Sequence, residues 1–155
     1  MDITVGIGDY KISGNQKDVL RTYALSSCIA ITVYSSARKV AGMLHVALPE
    51  PHEGEKNINP AYYATTGIPL LINKMCREYG CMKHELWVHL YGGADSICEN
   101  DVFNIGRKNI HAVSRTLETL NMTIIKAELG GRLSRTLTMD VAEGEIKVQH
   151  QPLRI

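Results

Sequence analysis

Residues 28–34 (CIAITVY) and 40–48 (VAGMLHVAL) form two β-type apolar runs, joined by a short polar link at residues 35–39. That pattern predicts a hairpin. With the turn centred between Ser36 and Ala37, Ile29 faces Leu44, Ile31 faces Gly42 and Val33 faces Val40, so one side of the ribbon is apolar. On the other side Cys28 falls directly opposite His45, with Ala30 facing Met43 and Thr32 facing Ala41. Directly opposed side chains have Cβ atoms about 4.5–5.5 Å apart, close enough for a thiol to meet an imidazole. A one-residue slip would move every side chain to the wrong face and break the pair.

Before this ribbon, Ile3, Val5 and Ile7 alternate with Thr4, Gly6 and Gly8, which predicts an opening strand. Residues 11–18 (KISGNQKD) read as a turn. After it, residues 50–60 are polar and Pro-bounded, and a mobile surface loop is expected there. Ile68, Leu71, Ile72, Met75 and Tyr79 then recur at helical spacing within residues 61–79, with Gly80 as the stop. Pro69 fits best in the first turn of that helix, leaving residues 62–66 as a separate turn or a kinked extension. Residues 85–91 alternate Leu86, Val88 and Leu90 against Trp87, His89 and Tyr91, a strand closed by Gly92, Gly93 and Ala94. Residues 101–121 carry Ile105, Ile110, Val113, Leu117 and Leu120, a second amphipathic helix with Asn104 or Asp101 as its cap. A strand at residues 123–129 precedes Gly130-Gly131, and residues 135–141 and 145–149 form a last hairpin about residues 142–144. Strands with two embedded helices predict an α+β layered fold, expected to be one domain over residues 1–155.

Composition narrows the function classes. The chain is 45% hydrophobic and 21% charged, with a net charge of +1 and no basic run, so nucleic-acid binding has no electrostatic footprint. No apolar stretch approaches membrane-spanning length, and the start of the chain has no signal-peptide pattern. A cytoplasmic location is therefore expected, and the 4 Cys read as thiols and not as a disulfide framework.

Cys28 beside His45 is the minimum for thiol nucleophilic catalysis. A free thiol titrates near 8.5, so an adjacent base or imidazolium is expected to enrich the thiolate. Leu25-Ser26-Ser27 sets small polar residues at the strand entrance, where Ser26 and Ser27 can turn backbone N–H groups toward an oxyanion. The competing reading is a packed core Cys and a satisfied core His. Other constellations are weaker. Cys76, Cys81 and His84, with His89 and Cys98 beyond, lack a paired C-x2-C knuckle, so no metal is expected. Gly92-Gly93 and Gly130-Gly131 lack the Lys-Ser/Thr of a phosphate loop and read as close backbone approaches or positive φ at strand ends. Ser26 or Ser27 as a nucleophile lacks the G-x-S-x-G elbow.

Several pieces, in order and spacing, resemble the CheD family of chemoreceptor glutamine deamidases. They are Thr22 with Leu25-x-Ser27-Cys28, Gly42-Met43-Leu44-His45 leading to Leu48-Pro49, and Tyr63-Ala64. Beyond them come Gly92-Gly93-Ala94, Ile105-Gly106-Arg107-x-Asn109, Gly130-Gly131 with Arg135, and Gly144. The resemblance runs from about Tyr10 to Gln149. It implies an α/β/β sandwich of mixed, largely antiparallel sheets, similar to that of bacterial toxin glutamine deamidases. It also implies Cys28 as nucleophile, His45 as its base, Thr22 as the group that orients the imidazole, and no cofactor or metal. Methyl-accepting chemotaxis receptors are the implied substrates, without membrane insertion, and a CheC-type phosphatase is the implied regulatory partner. The alternative within the family is a weakly catalytic or non-catalytic adaptor that binds and stimulates that phosphatase. The chain departs from the family pattern at Ser26 and Ser134, where Gly is usual, and at His89, where Lys is common. A left-handed backbone at position 26 would be strained with Ser.

Overall fold

The computed structural model describes residues 1–95 and 103–153. The strands are β1 (Asp2–Thr4), β2 (Asp9–Ser13), β3 (Val19–Leu25), β4 (Ile29–Ser35), β5 (Val40–Val46), β6 (Leu86–Gly92), β7 (Ile124–Leu129), β8 (Leu133–Asp140) and β9 (Ile146–Pro152). The helices are α1 (Ala64–Tyr79), between β5 and β6, and α2 (Ile105–Thr119), between β6 and β7. One sheet runs β1-β3-β8-β9 and the other β2-β5-β4-β6-β7. The β1–β3 and β6–β7 pairs are parallel and the rest antiparallel. Among the described residues no helix is long and apolar enough to cross a membrane.

Alternation in the five-stranded sheet explains the layering. Ile29, Ile31, Val33, Leu44, Val46, Val88 and Leu90 point to one face, where Ile68, Leu71, Ile72 and Met75 of α1 and Val113 and Leu117 of α2 cover them. Ala30, Tyr34, Ala41, Met43 and Tyr91 point to the other face and pack on Leu20, Leu25, Leu137 and Met139 of the four-stranded sheet. Each fully buried aliphatic side chain contributes about 1.5–3 kcal/mol, so both interfaces are required. The result is an α+β fold in three layers, helices on sheet on sheet.

The hairpin forms, but its register differs from the predicted one. His45 pairs with Ala30, Leu44 with Ile31 and Gly42 with Val33, so Cys28 does not lie directly opposite His45. The turn occupies residues 36–39 and is centred one residue later than expected. Lys39 adopts φ 54°, and Ser35 Oγ accepts a hydrogen bond from the Arg38 N–H at 3.3 Å. These contacts close a four-residue loop within the polar link expected at residues 35–39. The shift is two residues, so both faces keep the side chains assigned to them.

Three other expectations change. Ile7 is 61% exposed, because the Asp9 N–H bonds the Gly6 carbonyl at 3.1 Å and turns the chain into β2. Residues 11–13, expected in a turn, are strand because β5 offers an edge to pair with. Helix α1 runs through Pro69 from Ala64, with a separate turn at Pro60–Tyr62 before it. Asn104 caps α2, while Asp101, the other expected cap, lies outside the described residues.

Candidate active site

Thr22 and His45 come from different sheets and meet between them. Thr22 Oγ1 lies 2.8 Å from His45 Nδ1 and donates to the Val5 carbonyl at 2.7 Å. A hydroxyl has one proton, and a carbonyl only accepts. The proton therefore goes to Val5, and Nδ1 must carry the hydrogen that Thr22 receives. That tautomer leaves the lone pair on Nε2, a buried atom without a hydrogen-bond partner among the described residues. The imidazole is 2% exposed, and burial pulls its pKa down to about 4, partly opposed by the Val5 carbonyl. His45 is a neutral base at neutral pH.

Cys28 sits just before β4, on the face of Ala30, half-buried against the cluster between the sheets. Continuing the register, its direct partner would be Ala47 and its diagonal neighbour His45. Diagonal neighbours are about 7–8 Å apart, within reach of aromatic and long side chains. Burial also raises the thiol pKa. Sequence reasoning expected enriched thiolate; burial instead favours a neutral thiol at Cys28 and a neutral imidazole at His45.

The loop that carries Cys28 is held by its carbonyls. The Ala94 N–H donates to Ser26 O at 2.7 Å and the Gly93 N–H to Cys28 O at 2.8 Å, while Asn109 Nδ2 donates to Ser27 O at 2.8 Å. Among the described residues, nothing accepts from the N–H groups of Ser27 and Cys28, which are the donors an oxyanion needs. Two glycines permit this packing. A Cβ on Gly92 (φ 117°) would lie 2.2 Å from Cys28 O, and one on Gly106 2.2 Å from Ala94 O. Buried Arg135 braces the same turn from below, donating to Gly92 O at 3.3 Å, Gly130 O at 2.9 Å and Glu128 at 2.9 Å.

Ser26 is exposed and does not have positive φ. The left-handed residue is Ala24, at φ 50°, inside the irregularity of β3 between Thr22 and Leu25. Ser at position 26 is therefore unstrained.

Asn109 and Arg135 carry no role in the residue-level reading of the sequence. Asn109 had a visible signal, since it falls four residues after Ile105 and four before Val113, a polar residue in an apolar stripe. Arg135, in a strand of alternating exposure, had none.

The remaining sequence candidates lie apart from this site. Cys76 is on α1, Cys81 is buried after it, and His84 is in the short turn Lys83–Glu85. His89, on β6, places Nδ1 3.2 Å from Tyr91 Oη. Cys98 lies outside the described residues. No cluster of three metal-ligating side chains occurs among the described residues. The loop at residues 50–60 is tied down by the Tyr63 hydroxyl, which donates to Glu55 at 3.1 Å. With Arg107, Lys108 and His111 of α2, its first residues border a cleft of about 900 Å3.

The family model described as CheD chemotactic sensory transduction matches residues 47–150. The chain belongs to the CheD family. A relative from Syntrophotalea carbinolica, named "Probable chemoreceptor glutamine deamidase CheD", is 41% identical over 153 residues, 95% of this chain and 93% of its own length. A protein of the same name from Pyrococcus abyssi is 35% identical over 150 residues, 96% of this chain and 91% of its own. Such CheD relatives extend over more of the chain than the family model, which begins after Thr22, Cys28 and His45. Among solved structures, the Bacillus licheniformis hypothetical protein YfiH is similar with a TM-score of 0.53 at 12% identity. That likeness covers 77% of this chain and 50% of the YfiH chain and concerns the fold alone.

Proposed function

We propose that this CheD-family chain is a cysteine-dependent amidohydrolase that converts glutamine side chains of chemoreceptors to glutamate. The observation that carries the reading is the Thr22–His45 contact, which leaves Nε2 unprotonated and unpartnered on the Cys28 side of the sheet. As a glutamine carboxamide enters, Nε2 takes the Cys28 proton and sulfur attacks the carboxamide carbon. The N–H groups of Ser27 and Cys28 hold the resulting oxyanion. The imidazolium gives its proton to the nitrogen, ammonia leaves, and a thioester remains. His45 then takes a proton from water, hydroxide adds to the thioester, and sulfur leaves as the thiol, giving glutamate. Thr22 keeps the ring oriented throughout and the positive charge shared with the Val5 carbonyl.

The test is mass spectrometry of a chemoreceptor cytoplasmic fragment incubated with the protein. Specific glutamines should gain the deamidation mass shift with the native chain and not with Cys28→Ser. Equal conversion by both, or by neither, would contradict the reading. Receptors acted on in this way present their helices in the cytoplasm, where the chain would work. A CheC-type phosphatase, seated over the catalytic mouth, is the regulatory partner in the same reading. Saturating partner should slow deamidation, and an unchanged rate would remove it from this role.

A further inference from the structure

Asn109 is the polar member of the buried stripe of α2, beside Gly106, Val113 and Leu117. Its Nδ2 donates to two carbonyls on two different strand ends, Ser27 O at 2.8 Å and Ala47 O at 3.0 Å. These acceptors fix the amide's orientation, because the reverse would set Oδ1 against both carbonyls. Ser27 directly precedes the nucleophile, and Ala47 follows His45 by two residues. The β4–β5 ladder ends at the pair Ile29–Val46, and Cys28–Ala47 would be the next rung. The amide stands where that rung would be. By bonding one carbonyl on each, it ties the two strand ends together.

The amide's other end sharpens the point. Oδ1 of Asn109 is buried without a partner, and the only other such side-chain atom among the described residues is Nε2 of His45. Buried polar atoms are nearly always paired, and exceptions concentrate where chemistry sets the residue. A residue present only for packing would be apolar here, like its neighbours along the stripe. The two donors of the amide are what this position supplies.

We propose that Asn109 is a positioning residue that sets the approach of Cys28 to Nε2 of His45. The proposal rests on the deamidase reading. Among the charged groups on the elements around the site, Arg107 of α2 pairs with Asp95 beside Ala94 at 3.5 Å. Asp9, paired with His45 in the β2–β5 ladder, binds Lys11 at 2.9 Å, and Arg135 and His150 both bind Glu128. With Cys28 in reach of Nε2, turnover does not depend on free thiolate and is level across neutral pH. With that approach lost, attack depends on thiolate formed without help, and the rate climbs about tenfold per pH unit below the thiol pKa.

The experiment compares the native chain with Asn109→Leu and Asn109→Ser on a receptor fragment, reading kcat, KM and the pH profile. Asn109→Leu should lower kcat by about 100-fold, the scale of a small misplacement of reacting groups, with KM within about 3-fold of native. Its profile should change from level to rising with pH. Asn109→Ser keeps one donor, should fall between the two, and decides by the same pH criterion if Asn109→Leu does not fold. An unchanged kcat, a loss confined to KM, or a lower kcat with the native pH profile would overturn the proposal. A native chain that does not deamidate overturns it together with the deamidase reading.

Discussion

Toward the helices, β4 and β5 present Ile29, Ile31, Val33, Leu44 and Val46 to an apolar core. Toward the second sheet the same strands present Thr32, Tyr34 and His45 among the apolar groups, and each polar group finds a partner there. Thr32 Oγ1 donates to His89 O at 3.4 Å, Tyr34 Oη to Val141 O at 2.8 Å, and His45 Nδ1 meets Thr22. The helix side is mostly apolar, with Asn109 of α2 as a buried polar residue, whereas the sheet side buries several polar groups, which is costly unless they are paired. The exception on that side, Nε2 of His45, is the atom that the proposed chemistry uses. One pleated ribbon divides a mostly apolar packing face from the face that carries Cys28 and His45.

The sharpest way to break the comparison is a substitution on each side. Cys28→Ser should abolish deamidation and change stability by less than about 1 kcal/mol, because the exchange is nearly isosteric. Leu44→Ala, at a fully buried position on the helix side, should destabilise the fold by about 2–5 kcal/mol while its folded fraction keeps native turnover. Urea unfolding and a turnover assay on both variants check this. Loss of turnover by folded Leu44→Ala would show that the two faces are not separate.

Thr22→Val removes the hydroxyl and keeps the shape. The imidazole then loses its orienting partner and Val5 O its donor, so kcat should fall by about 10–100-fold, less than the roughly 100–10,000-fold a general base contributes. A native rate in a turnover assay would mean that the fixed tautomer is unimportant.

A further effect falls on acid stability. His45 holds its proton less readily folded (about 4) than unfolded (near 6.5). Its contribution is complete above pH 6.5 and is lost as pH falls toward 4, because the unfolded chain binds the extra proton there. The shift corresponds to about 3 kcal/mol. Thermal melts of the native chain and His45→Gln across that window should diverge, with the native chain steeper. Parallel slopes would place the acid loss elsewhere.

Much of the fold was legible, because alternation and helical spacing report faces directly. The register was not, since the loop at residues 36–39 (SARK) has no glycine to mark Lys39 as left-handed. β3 was hidden too. Its inward residues Leu20, Thr22 and Leu25 lose their period at the irregularity around Ala24. Cys28 and His45 stood out by type and parity, and parity survived the two-residue shift. The carbonyl clamp of Ala94, Gly93 and Asn109 did not, because its partners are distant in the chain and meet only once α2 packs under β4.

The central claim is that His45 waits as a neutral ring, protonated on Nδ1, with Nε2 available to Cys28. Nitrogen NMR of the histidine rings, with His45 assigned from the spectrum missing in His45→Gln, tests it most directly. The account predicts a neutral Nδ1–H ring at pH 7 that stays neutral until the solution is well below pH 6.5, toward about 4. A ring that is doubly protonated at pH 7, or that carries its proton on Nε2, would contradict it.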